Sequence, residues 1–248
     1  ADSFSVDTKS ATEHLRQMVR LKTVSNVEES QVDLGEFEKF RALLRTLYPH
    51  VYTACEYTEI GRHGMLLKWP GHSAERPSVL MAHYDVVPAD PAEWDEPPFE
   101  GVVKGGELWG RGTLDTKGTL MGVMEAAESL IARGFTPQND VYFAFGGDEE
   151  VMGGDAPAIV QELERRGVRP AFVLDGSHNA HGMRATVQSL KDRFPGQKFV
   201  FQMNEAEKAA TRTLQNQNLA AALAQPCDLL VLDEAGSAWE LDMVDKDL

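Results

Sequence analysis

His83 and Asp85 close the apolar run SVLMAHYD two positions apart, and side chains two apart on a strand share a face. An imidazole and a carboxylate at one strand end can act together on a metal or a proton. A second concentration of such groups follows another apolar run, in FGGDEEVMGG, where Asp148, Glu149 and Glu150 are consecutive. Acids two apart share a face while the middle one points elsewhere, so one carboxylate can bind a cation while its neighbour handles a proton. Asp115 sits in GRGTLDTKG and Asp175 ends the run FVLD. Carboxylates crowded together raise one another's pKa unless a cation neutralises them. One imidazole and several carboxylates make a nitrogen-and-oxygen set suited to Zn²⁺, or to Mn²⁺ or Co²⁺. More acids than one ion needs suggests two ions sharing a bridging carboxylate. A lone His-x-Asp is weak evidence, and a lone acidic turn is an ordinary solvated turn. Their combination is specific.

These groups must be carried by elements that converge. ATEHLRQMVRLK (11–22) and EFEKFRALLRTL (36–47) have helical apolar spacing. VYTACEY, GMLLKW and SVLMAH read as three successive strands. The Pro- and Gly-dense stretch after them reads as a long ordered loop with a hairpin around GVVKGGELWG. TKGTLMGVMEAAESLIARG reads as a helix capped at Gly134, followed by the strand DVYFAFGG, the helix APAIVQELERRG and the strand PAFVLD. Helices near 180–193 and 205–224 and the strands KFVFQ and CDLLVLD continue the alternation. This order predicts an α/β three-layer sandwich around a central, mostly parallel sheet, within one domain over residues 1–248. In such sheets ligands bind at the carboxyl ends of the strands, where His83, Asp85, Asp115, the 148–150 acids and Asp175 would meet.

With 248 residues and 42% apolar composition, the chain is long enough to bury a substantial core, and a soluble globular protein is expected. No apolar run is long enough to cross a bilayer, and no signal peptide is evident in a chain that begins at Ala1, so a cytoplasmic form and a processed secreted or vacuolar form both stay open. Cys55 and Cys227 are too few for a disulfide framework and read as buried thiols. A formal charge of −15 argues against a nucleic-acid partner and suits divalent cations. The stretch from Gly112 to Lys117 lacks the glycine and hydroxyl of a phosphate loop, so nucleotide binding is not expected there.

HYDVVP, WDEPPF, GELWGRGTLDTKG, FGGDEEVMGG and RGVRPAFVLD together resemble the co-catalytic zinc amidohydrolases and exopeptidases that include aminoacylase, carboxypeptidase S and succinyl-diaminopimelate desuccinylase. The resemblance covers roughly residues 10 to 175, and HYDVVP and FVLD are most similar to the carboxypeptidase S branch, which acts on peptides and N-acyl amino acids. It implies that His83 and Asp175 bind one zinc, that Asp115 bridges two, and that Glu150 serves the other. Asp85 would fix the ring and tautomer of His83, and Glu149 would be the general base. Trp94, Pro97, Pro98 and Phe99 read as loop packing, Trp109 as core, Lys117 as serving a helix start or an ion pair, and Asp148 as a structural acceptor. His14, His50, His63 and His72 read as surface or turn residues.

After Asp175 the pattern departs from that family: the 73 residues that remain leave no room for the usual lid domain and the late histidine ligand. His178 or His181 would have to supply that ligand. Residues 173–196 faintly resemble the C-terminal domain of folylpolyglutamate synthetases and Mur ligases, which would predict nucleotide binding without an ATP loop. The expected activity is metal-dependent cleavage of an amide or peptide bond in a small peptide or N-acyl amino acid; oligomeric state is open. The competing expectation is a reduced, non-enzymatic domain that binds metal without turnover.

Overall fold

A computed structural model describes residues 7–175, 199–203 and 229–233. Helix α1 (Thr8–Arg20) begins where the Asp7 carboxylate accepts the N–H groups of Lys9 and Ser10, and it buries Ala11, Leu15, Met18 and Val19 along one face. Helix α2 (Leu34–Leu47) is capped by Asp33 and buries Phe37, Phe40 and Leu44. The segment VYTACEY is not one strand. Pro49–Ala54 forms helix α3, and strand β1 (Glu56–Ile60) starts only after Cys55. Pro49 occupies the first helical turn, where its missing N–H costs nothing, and Val51 is fully buried, so packing overrides the β-forming composition.

Strands β2 (Gly64–Trp69) and β3 (Ser73–His83) follow, then the hairpin β4 (Val102–Lys104) and β5 (Glu107–Trp109). Helix α4 (Lys117–Ala132) ends in a Schellman motif: Gly134, at φ 77°, donates to Ile131, and Phe135 donates to Leu130. Strand β6 (Asn139–Gly146), helix α5 (Asp155–Arg165) and strands β7 (Phe172–Asp175), β8 (Phe199–Met203) and β9 (Leu229–Asp233) complete the described elements.

Seven strands form one sheet in the order β1-β2-β6-β3-β7-β9-β8. Strand β1 pairs antiparallel with β2, and β2 antiparallel with β6; every other pairing is parallel. Alternation along the central strands sends side chains to two cores. Met65, Leu67, Phe143 and Phe145 pack with α1 to α4, whereas Leu66, Tyr142 and Ala144 pack with Ile159 and Leu163 of α5 on the opposite face. From β3 the chain crosses through α4 to β6 on one side, and from β6 through α5 to β7 on the other. The carboxyl ends of β3, β6 and β7 therefore border the crevice where this connection reverses. Among the described residues there is no lid domain, and no helix is long and apolar enough to cross a membrane.

Candidate metal centre

His83 is the last residue of β3 and lies level with Gly146, the last residue of β6. Its backbone is held on both sides. The N–H donates to Thr116 Oγ1 at 2.9 Å, and the same hydroxyl donates to the His83 carbonyl at 2.9 Å. Thr116 thereby ties the strand end to the loop that carries Asp115. The sequence reading assigned Thr116 no role; its position directly after a candidate ligand was the available signal.

Around the ring, Nδ1 meets Asp85 Oδ1 at 3.1 Å and Nε2 meets Asp115 Oδ1 at 2.9 Å. Asp85 is fully buried, and its two oxygens also accept the N–H groups of Glu149 at 3.1 Å and Glu150 at 3.0 Å. One carboxylate thus fixes both the imidazole and the turn bearing the paired glutamates. A ligand atom from each of His83, Asp115 and Glu150 lies within 4.8 Å of the others. Glu149 Oε2 stands 3.7 Å from His83 Nε2, with its side chain 58% exposed at the mouth of the cluster.

Burial disfavours charge on His83, yet its hydrogen bonds to Asp115 and Asp85 outweigh that cost and push the imidazole up to about 10. Burial, then the Asp115 carboxylate, raises Glu150 above the usual carboxylate range. The imidazole is held among acids. A divalent ion would meet the same field with the ring neutral, and a nitrogen with two carboxylate oxygens is a donor set that fits Zn²⁺, Mn²⁺ or Co²⁺.

The remaining candidates divide. Asp175 ends β7 at the same edge of the sheet, but its side chain lies outside the described residues, as do His178, His181 and Cys227. Asp148 is not one of the clustered ligands and accepts the N–H groups of Gly154 and Asp155, a structural acceptor. Lys117 opens α4, and its buried Nζ donates to the carbonyls of Met18 at 3.1 Å and Leu21 at 2.8 Å rather than to a carboxylate. Pro98 is buried, and Arg111 lies 5.0 Å over the Trp94 ring, in keeping with loop packing. Trp109 is only half-buried. His72 and His50 are exposed, His50 pairing with Glu128 at 2.6 Å, whereas His14 is half-buried against Glu125. His63 lies in the β1–β2 turn, one of the two placements read for it, and is buried there rather than at the surface, stacked 4.3 Å from the Phe37 ring of α2.

A family model described as Peptidase family M20/M25/M40 matches residues 79–236, more than half of the chain. The chain belongs to that family. The match continues past Asp175, where the resemblance read from the motifs stops. Among curated M20 relatives, an N-fatty-acyl-amino acid synthase/hydrolase of Xenopus tropicalis is 37% identical over 67% of this chain and 33% of its own length. A carboxypeptidase S-like protein of Dictyostelium discoideum is 35% identical over 66% of this chain and 33% of its own. The chain therefore spans about a third of the length of the curated relatives it matches. Among solved structures, an M20 family metallo-carboxypeptidase of Sulfolobus solfataricus superposes with a TM-score of 0.55 at 18% identity, over 68% of this chain and 37% of that one. Human carnosine dipeptidase 1 gives 0.53 at 17% identity, over 68% and 38%. At those identities the likeness is one of fold.

Proposed function

We propose that the chain is the catalytic part of a metal-dependent hydrolase that cleaves an amide or peptide bond in a small peptide or N-acyl amino acid. The observation that carries this reading is the convergence of His83, Asp115 and Glu150 at the carboxyl edge of the sheet, with Glu149 beside them. In this reading residues 1–248 form one α/β domain, and Asp175 joins the ligands. The names of the relatives, an N-fatty-acyl-amino acid synthase/hydrolase and a carboxypeptidase S-like protein, support a substrate with an acylated amino acid.

Zinc, two ions in the full reading, would be held by His83, Asp115, Glu150 and Asp175, and would supply Lewis-acid polarisation of the scissile carbonyl and a water acidic enough to attack near neutral pH. The chain's own groups do the rest. Asp85 holds His83 through Nδ1, leaving Nε2 as the donor. Glu149, its side chain 58% exposed beside His83, takes the proton of the attacking water and delivers it to the leaving nitrogen.

Two substitutions test the assignment. Glu149→Ala is expected to leave zinc content unchanged while hydrolysis of N-acyl amino acids falls by about 10²–10⁴-fold. His83→Ala is expected to lower zinc content itself. Equal loss of zinc in both variants, or unchanged zinc in His83→Ala, contradicts the roles. The second reading is a domain that binds metal without turnover; zinc bound stoichiometrically with no hydrolysis of any acylated amino acid would select it.

A further inference from the structure

Behind the Glu149–Glu150 turn lies a second pair of carboxylates that the reaction does not use. Asp155, only 1% exposed, accepts the backbone N–H groups of Arg62 at 2.9 Å, His63 at 3.2 Å and Gly147 at 3.1 Å. Asp148 accepts those of Gly154 at 2.8 Å and Asp155 at 3.2 Å. The two clamps are reciprocal: each carboxylate, at one end of the 147–154 loop, binds N–H groups at the other end. Glu149 and Glu150 lie between them.

The far anchor is itself hydrogen-bonded to β3's end. His63 accepts a 2.7 Å hydrogen bond at its carbonyl from Tyr84 Oη, and Tyr84 is the residue after His83. Asp155 therefore joins three pieces: the β1–β2 turn locked to β3, the end of β6, and the start of α5. The fit is close. A Cβ on Gly153 would fall 2.1 Å from the Asp148 carboxylate, so only glycine leaves room for that clamp. An ionised carboxylate in a buried site is costly unless several N–H groups face it, and here each oxygen has donors and neither can be exchanged for an amide nitrogen without opposing N–H to N–H.

We propose that Asp155 is a positioning residue for the metal centre: it sets the place of the Glu149–Glu150 turn over His83 although it touches neither metal nor substrate. The inference rests on the reading of His83, Asp115 and Glu150 as ligands. It assigns to Asp155 a share of the metal affinity that a merely structural buried acid would not have.

A matched control exists on the same strand. Asp140 is 4% exposed, accepts the Gly71 N–H at 2.8 Å, lies 3.3 Å from Lys68, and sits at the opposite end of β6. In the full chain, Asp155→Asn and Asp140→Asn should both lower the melting temperature. Zn²⁺ affinity by chelator competition should fall about 10–100-fold in Asp155→Asn alone, with altered visible absorption of the Co²⁺ form, as for other residues that orient ligands. Asp140→Asn should bind Zn²⁺ as the wild type does. If Asp155→Asn does not fold, Asp148→Asn, which keeps one acceptor oxygen, carries the same expectation at smaller amplitude. Wild-type affinity in both Asp155→Asn and Asp148→Asn, or equal weakening in Asp140→Asn, overturns the positioning role and leaves the ligand assignment standing. A wild-type chain that binds neither Zn²⁺ nor Co²⁺ overturns the ligand assignment and this inference together.

Discussion

At the scale of single residues, Asp85 does the most with one side chain. Its Oδ1 faces His83 Nδ1 and the Glu149 N–H, and its Oδ2 faces the Glu150 N–H. Asp85→Asn must turn an amide group toward one of those donors. The expected outcome is a drop of about 10–100-fold in Zn²⁺ affinity with little loss of helix content, measured by chelator competition and circular dichroism. Cys55 offers a second check, on burial alone. Desolvation, then the Glu128 carboxylate, pushes its thiol from an ordinary 9.0 up to about 12. A folded value raised above the unfolded one means that the neutral thiol contributes stability below pH 9.0, and that this contribution is lost as pH climbs toward 12. In a Cys227→Ser background, alkylation at pH 8 should be about a thousandfold slower in the folded protein than in urea, following the thiolate fraction; equal rates would place Cys55 in solvent. The pairing of His83 with Asp85 was legible because a period of two is a local property of strands. Thr116 and Asp155 were not, because each acts on backbone groups supplied by segments 33 and 92 residues away.

At the scale of elements, α4 carries the loop that presents Asp115, and two of its glycines have opposite expectations. A Cβ on Gly118 would fall 2.2 Å from the Thr113 carbonyl oxygen, whereas one on Gly122 meets nothing within 4 Å. Gly122→Ala should therefore stabilise the protein by about 0.5–1 kcal/mol through helix propensity. Gly118→Ala should destabilise it and weaken Zn²⁺ binding, because the first turn of α4 must move away from the 113–115 loop. Melting temperatures and chelator competition on the two variants read both effects; a stabilising Gly118→Ala would contradict the packing. The helix itself was visible in its apolar spacing and its Gly134 cap. The α3 misreading has the opposite cause: a six-residue helix is too short to show a period, and its Val and Tyr residues carry a strand composition that Pro49 and the burial of Val51 overrule.

At the scale of the whole molecule, alternating strands and helices predicted a layered sheet with its crevice at the carboxyl ends, and the structure has that crevice between oppositely directed crossovers. The strand order was not legible: β9 lies between β7 and β8, a pairing that depends on contacts between distant segments rather than on local pattern. The crevice gathers acids in a chain whose formal charge is already −15, so a bound cation should stabilise the folded state in particular. A ligand that binds only the folded form at 100 times its Kd adds about 2.7 kcal/mol. For a chain of this size that corresponds to a rise in melting temperature of roughly 5–10 °C. Zn²⁺ should produce such a rise in the wild type, EDTA should reverse it, and His83→Ala should abolish it while keeping the melting transition cooperative. A rise of equal size in His83→Ala would mean that the cation acts on the acidic surface at large, because only a site built on the imidazole loses its linkage when the imidazole is removed.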